Sequence, residues 1–197
     1  MKKNMLISFT IICIITLCGF QYNGNGDKIP DGWFKTGSSP SSYEVGVETG
    51  AGMNNDNAVY IKSIDESIKG FGTLMQNFPA KKYLNKRVML TGYVKSKNVI
   101  QMAGLWMRID DNQNPPKILG FDNMNDRPIK GNSAWKKYSV VLDVPSNSSS
   151  INFGILLNGT GEVWLSNLKF EIVDKKVATT DIIKIKTDGP TNLNFEK

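Results

Sequence analysis

Histidine is absent from all 197 residues, and both cysteines, Cys13 and Cys18, fall within the first 18 positions. An imidazole base and a histidine metal ligand are therefore excluded. Once the N-terminal segment is removed, so are a cysteine nucleophile and a disulfide. No Gly-x-Gly-x-x-Gly follows a strand, and there is no phosphate loop and no Gly-x-Ser-x-Gly elbow, which removes support for nucleotide and hydrolase-fold chemistry. Ser-Asn-Leu-Lys at 166–169 matches a Ser-x-x-Lys pattern in letters only. Its residues lie on a strand, where positions three apart point to opposite faces. Charge of one sign is also scarce in any one place: 24 Lys and Arg against 18 Asp and Glu give a formal +6, spread along the chain. No nucleic-acid-binding or membrane-binding stripe is read from it.

Two lysines, Lys2 and Lys3, precede an uncharged run from Met5 to Phe20 rich in Ile and Leu. That is the charged and apolar layout of an export signal, assigned to 1–19, and the run is short for a membrane span, which needs about 20 apolar residues. Cys18 stands where a lipoprotein signal places its acylated cysteine, although Leu17 is larger than the small residue usual before it; Cys18 is the lipidation candidate. Cleavage would remove two lysines and no acids, lowering the formal charge to +4. The expected location is secreted or cell-envelope, free or lipid-anchored, with no membrane span after cleavage.

Residues 20–29 read as a polar lead-in and 30–175 as one domain, large enough to bury roughly two thirds of its unfolded surface. Its hydrophobic period is two. Val88, Leu90 and Val94 oppose Met89, Thr91, Tyr93 and Lys95, and Tyr138, Val140, Leu142 and Val144 alternate with Ser139, Val141 and Asp143. Similar runs at 43–49, 57–63, 71–78, 99–109, 117–122, 150–157 and 162–173 are separated by clusters such as DDNQNPP at 110–116 and NGTG at 158–161. Only 79–85 offers a turn or two of helix. Nine strands with little helix imply an all-β, antiparallel two-sheet sandwich, most simply a jelly roll.

Segments 71–96, 103–110, 121–131, 135–145 and 151–173, in that order, resemble a bacterial galactose-binding-like jelly-roll domain. Such domains resemble carbohydrate-binding modules and accompany tail-specific-protease-like peptidases, erythromycin-esterase-like hydrolases and AraC-type regulators. The resemblance implies the fold over roughly 30–175 and, by analogy, a binding role. The chain as given leaves no room for such a companion domain, so the module is expected to act alone or with a separate partner. Residues 176–197 are expected to form a closing strand or the stub of a further module, since DIIKIKT at 181–187 reads as a strand leading into NLNFE.

Strand 99–109 carries the sharpest site signal. Ala103, Leu105, Met107 and Ile109 form its more apolar face, which would turn Trp106 and Arg108 outward together. An indole beside a guanidinium suits a sugar, which offers C–H faces for stacking and hydroxyls for hydrogen bonds. The alternative is a Trp106 that covers an open sheet face and an Arg108 paired with a nearby acid. The segment FDNMNDRP gathers Asp122, Asn123, Asn125, Asp126 and Arg127 just after a strand. Its oxygens suit sugar hydroxyls or a structural calcium, or else ordinary turn chemistry. Trp33 and Trp135 are expected to be buried, and Trp164 to face outward. Ligand-binding candidates are thus Trp106, Arg108, Asp122, Asn123, Asp126 and Arg127. The expected function is non-catalytic binding of carbohydrate or a related polar polymer. An envelope-protein interaction module is the alternative, and a glycosidase using Asp110, Asp122 or Asp126 is the third reading.

Overall fold

A computed structural model describes residues 29–183 and Leu193. The export segment, Cys18, the lead-in before Ile29, and nearly all of 184–197 lie outside the described residues, as does most of the strand expected at 181–187.

Nine strands follow in order among the described residues: β1 (Phe34–Gly37), β2 (Tyr43–Glu48), β3 (Ala58–Ser63), β4 (Phe71–Pro79), β5 (Lys86–Asp110), β6 (Ile118–Asp122), β7 (Ile129–Val144), β8 (Ser150–Asn158) and β9 (Glu162–Val173). Every pairing is antiparallel. One layer runs β1-β4-β8-β5-β6 and uses the C-terminal half of β5. The other runs β7-β5-β9-β3-β2 and uses its N-terminal half. The result is the jelly-roll sandwich implied by the alternation, drawn toward a barrel because one strand belongs to both layers.

The sequence reading splits β5 into 88–95 and 99–109; the chain instead runs through the KSKN break. Up to Val94 the inward residues are even-numbered, and from Val99 they are odd-numbered, with Val99, Ala103, Leu105, Met107 and Ile109 essentially buried. Asn98 adopts a positive φ of 52°, and the β5–β7 register slips between Val94 and Ala103. The extra residues form bulges that bend the strand from one layer into the other, so a polar interruption acts as a corner and not as a turn. β9 repeats the device: Val163 and Leu165 give way to Leu168 and Phe170 across Asn167, whose φ is also 52°.

Three smaller differences have local causes. β1 has four residues, too few for alternation to show. β7 begins at Ile129, earlier than 138, because its first half edges the sheet with outward polar side chains. Residues 80–82 make one 3-10 turn and no longer helix, pinned where the Ala80 N–H donates to the Ser149 carbonyl at 2.9 Å. The core between the layers joins aliphatics from all strands except β1 to a ring cluster in which Phe78, Tyr83, Phe153 and Phe170 meet mostly edge to face. Trp33 is half-buried, its ring 5.7 Å from Phe153.

Candidate ligand cleft

Period-two alternation places Met102, Gly104, Trp106 and Arg108 on the outer face of the first layer, because Ala103, Leu105, Met107 and Ile109 occupy the core at zero exposure. Register then assembles rows across the sheet. Trp106 lies opposite Gly154 on β8, which lies opposite Met75 on β4. Gly104 is followed by Leu156, Thr73 and Thr36, and Met102 by Asn158 and Phe71. On the other side Arg108 faces Phe121 on β6. These side chains, with Asn123, line a cleft of about 470 Å³, within the range of small-molecule sites.

Trp106 is the floor of this cleft and not a free platform: it is only 8% exposed. Its indole reaches over β8, where Gly154 presents no side chain, and Nε1 donates to Thr73 Oγ1 at 2.8 Å. Thr73 in turn donates to the Ile155 carbonyl at 2.8 Å. Met75 and Leu156 pack with the indole, and Met102 and Phe121 cover its margins. Phe71 remains 38% exposed at the side, available for ring contact.

Arg108 keeps 39% of its side chain exposed, and its Nε and Nη2 donate to Asp110 Oδ2 at 3.0 and 2.8 Å. Asp110 is buried, and Asn152 Nδ2 also donates to Oδ2, at 2.9 Å. The guanidinium is thereby aimed and charge-matched, while its Nη1 has no protein partner among the described residues. The same holds for the Asn123 side-chain nitrogen, the Asn158 amide and the Thr36 hydroxyl. An apolar floor is thus edged by spare hydrogen-bonding groups. No carboxylate is found among the described residues lining it.

The 121–128 segment divides. Asp122 pairs with inward-facing Met107 and has no exposure; its carboxylate accepts from the Met124 N–H at 2.7 Å and from both terminal nitrogens of Arg127. Arg127 also donates to Asp126 Oδ1 at 2.8 Å and to the Ser139 carbonyl at 3.1 Å. Burial pulls the Arg127 guanidinium down, but bonding and charge from Asp122 and Asp126 outweigh it and hold it above its ordinary range. Asn123 Oδ1 accepts from the Asn125 N–H at 3.1 Å, which completes a tight turn. This turn rests on Gly104: a Cβ there would come 2.9 Å from the Asn123 carbonyl oxygen. Of the six candidates, Trp106, Arg108 and Asn123 line the cleft. Asp122, Asp126 and Arg127 form a cluster beside it, in which both Asp122 oxygens and Asp126 Oδ1 accept from Arg127 while the Asp126 side chain stays largely exposed. No group of three or more acidic or cysteine side chains that could hold a metal is found among the described residues. Asp110, the remaining acid of the glycosidase reading, is engaged with Arg108 and Asn152.

On the second layer Trp164 does face outward, yet it is covered: Lys95 Nζ sits 4.1 Å from its ring centroid and 5.3 Å from that of half-buried Trp135. Glu48 Oε2 accepts from its Nε1 at 3.1 Å. Reading one strand at a time missed Phe71, Thr36, Met75 and Asn158. Their strands were legible, but cross-strand register, which brings them to Trp106, is not written in local alternation.

No family model matches the chain. It is 40% identical over 174 residues to the uncharacterized HTH-type transcriptional regulator YbfP of Bacillus subtilis, covering 87% of this chain and 58% of the regulator. The chain therefore spans less than two thirds of that relative's length. Among solved structures, the CBM22-1 xylan-binding domain from Paenibacillus barcinonensis Xyn10C superposes with a TM-score of 0.53 at 14% identity, over 75% of this chain and 89% of that one. The CBM22-1-GH10 modules of Clostridium thermocellum Xyn10B, complexed with xylohexaose, superpose with a TM-score of 0.52 at 12% identity, over 73% and 26%. The fold is a galactose-binding-like jelly roll, shared with carbohydrate-binding modules. At these identities the likeness speaks for architecture, and the chemistry of the cleft must speak for ligand.

Proposed function

We propose that this domain is a non-catalytic carbohydrate-binding module that takes a neutral glycan chain in the cleft above Trp106. The observation that carries the reading is the cleft itself: an apolar floor with Phe71 and Phe121 at its sides, edged by polar groups that keep hydrogen-bonding capacity unused among the described residues. Sugar rings present C–H faces to the aromatic and thioether side chains and hydroxyls to Arg108, Asn123, Asn158 and Thr36. Since Asp110 already balances Arg108, the site offers a directed donor with little net charge, which suits a neutral sugar over an acidic one. Asp122, Asp126 and Arg127 contribute by holding Asn123 in place. The two fold relatives named for xylan and xylohexaose support the reading. Export by residues 1–19, with a lipid on Cys18 as the anchored variant, would bring the module to extracytoplasmic polymers.

Calorimetric titration with xylohexaose, followed by a panel of neutral oligosaccharides, tests the proposal. Arg108→Ala is expected to weaken binding about tenfold, the scale of one charge-assisted hydrogen bond of about 1.5 kcal/mol. Retained affinity in that variant, or no glycan bound across the panel, contradicts it. Co-purification of one envelope protein in the absence of glycan binding would favour the interaction-module reading. The 40% identity to a named regulator favours one further reading, in which the same cleft senses a small ligand inside the cell. Mass spectrometry of the N-terminus of protein recovered from its producing cells separates the two: cleavage after about residue 17–19 supports export, and an intact start supports the sensor.

A further inference from the structure

Beyond β9 the chain is not a loose end. Asp174 starts a turn in which its Oδ1 accepts from the Lys176 N–H at 2.8 Å. Arg87, on β5, then grips the main chain: its Nη1 donates to the carbonyls of Lys175 and Val177, while Nε and Nη2 hold Asp143 of β7 at 2.9 and 2.8 Å. The chain next crosses to the free edge of β7. There the Thr180 N–H donates to the Val141 carbonyl at 2.9 Å, and the Val141 N–H donates to Thr180 Oγ1 at 2.8 Å. The next described residues lie on the free edge of β6. The Ile182 N–H donates to the Phe121 carbonyl at 2.9 Å, and Asp181 Oδ1 accepts from the N–H groups of Phe121 at 3.1 Å and Ile183 at 2.9 Å.

Both main-chain groups of Phe121 are thus taken by this segment, while the Phe121 ring packs on the Met75, Trp106 and Leu156 cluster and lines the cleft. Gly120 lies beside the contact: a Cβ there would touch Asp181 Oδ2 at an ordinary 3.4 Å. β6 has only five residues and pairs with β5 alone, so little else fixes its outer side. We infer that residues 174–183 form a strap that belongs to the ligand cleft, with Asp181 as a positioning residue that sets the Phe121 wall. The strap ties β7 of one layer to β6 of the other and ends on the backbone of a cleft residue. The inference rests on the cleft being the ligand site, and its first test needs no ligand.

The full chain labelled with fluorotryptophan gives four ¹⁹F resonances, one per tryptophan, and the Trp106 signal is assigned with Trp106→Phe. Asp181→Ala is expected to shift or broaden the Trp106 resonance and leave those of Trp33, Trp135 and Trp164 in place. Asp181→Asn, whose side-chain oxygen can accept the same two N–H bonds, is expected to restore it. An unmoved Trp106 signal in Asp181→Ala overturns the inference. So does movement of all four signals together, which would mean general loosening, or failure of Asn to restore. With xylohexaose as probe, Asp181→Ala is expected to weaken binding at least threefold where the parent binds. Unchanged affinity with a parent that binds overturns the strap's part in the site. A parent that binds no glycan tells against the carbohydrate reading alone, and the fluorine signals still decide for the strap.

Discussion

Asp122 and Arg127, five positions apart in an Asp- and Asn-rich turn, are bonded to each other. The Asp122 carboxylate is buried without exposure, and it meets there the Arg127 guanidinium and the Met124 N–H. Arg127→Ala should therefore cost about 3 kcal/mol of folding stability, because it strands a buried charge; urea unfolding measures it, and a loss under about 1 kcal/mol would deny that structural role. Gly154 is a second residue whose identity is dictated by a neighbour. A Cβ at 154 would fall 2.2 Å from the Leu74 carbonyl oxygen, so Gly154→Ala should destabilise the domain by about 1–3 kcal/mol, while Gly131→Ala, with nothing within 4 Å, should cost less despite its φ of 66°. Comparative urea melts check the order. At this scale the sequence shows which residues are unusual, Trp106 and the Asp-Asn turn among them. It does not show whose donors they face: Asp122 and Asn123 are adjacent and look alike, yet one enters the core and the other the cleft.

Among elements, alternation was a faithful guide wherever a strand stayed in one layer. The inward sets Val88–Leu90–Val94 and Ala103–Leu105–Met107–Ile109 are buried as their spacing implies. It fails at Asn98 and Asn167, where a left-handed residue inverts the parity, because a bulge and a turn draw on the same residue types. The β5–β7 pairing within the second layer also carries a pH dependence. Hydrogen bonding from Arg87, against some desolvation, holds the Asp143 carboxyl below its ordinary value. A group with a depressed folded pKa adds stability above its unfolded pKa, about 3.9, and loses it as pH falls through the lower, folded value. The melting temperatures of the parent and Asp143→Asn should therefore differ most above about pH 4 and converge below it. A gap that is constant down to pH 2 would contradict this. The exposure of Asp143, half of its side chain, keeps the expected gap small.

For the molecule as a whole, one long strand shared by two layers leaves a concave outer face on the first and a tryptophan–lysine-covered face on the second. The buried phenol of Tyr43 marks how tightly the layers close. Its hydroxyl donates to the Gly159 carbonyl at 2.9 Å, and desolvation pushes its pKa up to about 12. The jelly roll was legible from strand count and turn spacing, because two-sheet sandwiches are the economical way to bury so many half-apolar strands. The cleft was legible only in its Trp106–Arg108 half, since its other wall comes from β1, β4 and β8 by register. The account therefore stands or falls on what that face holds. A ¹H–¹⁵N titration of the full chain with xylohexaose and a panel of neutral oligosaccharides measures it most directly. The account predicts saturable shifts gathered at Thr36, Phe71, Met102, Arg108, Phe121, Asn123 and Asn158. Shifts gathered on the Lys95–Trp135–Trp164 face, or none with any glycan, would contradict it.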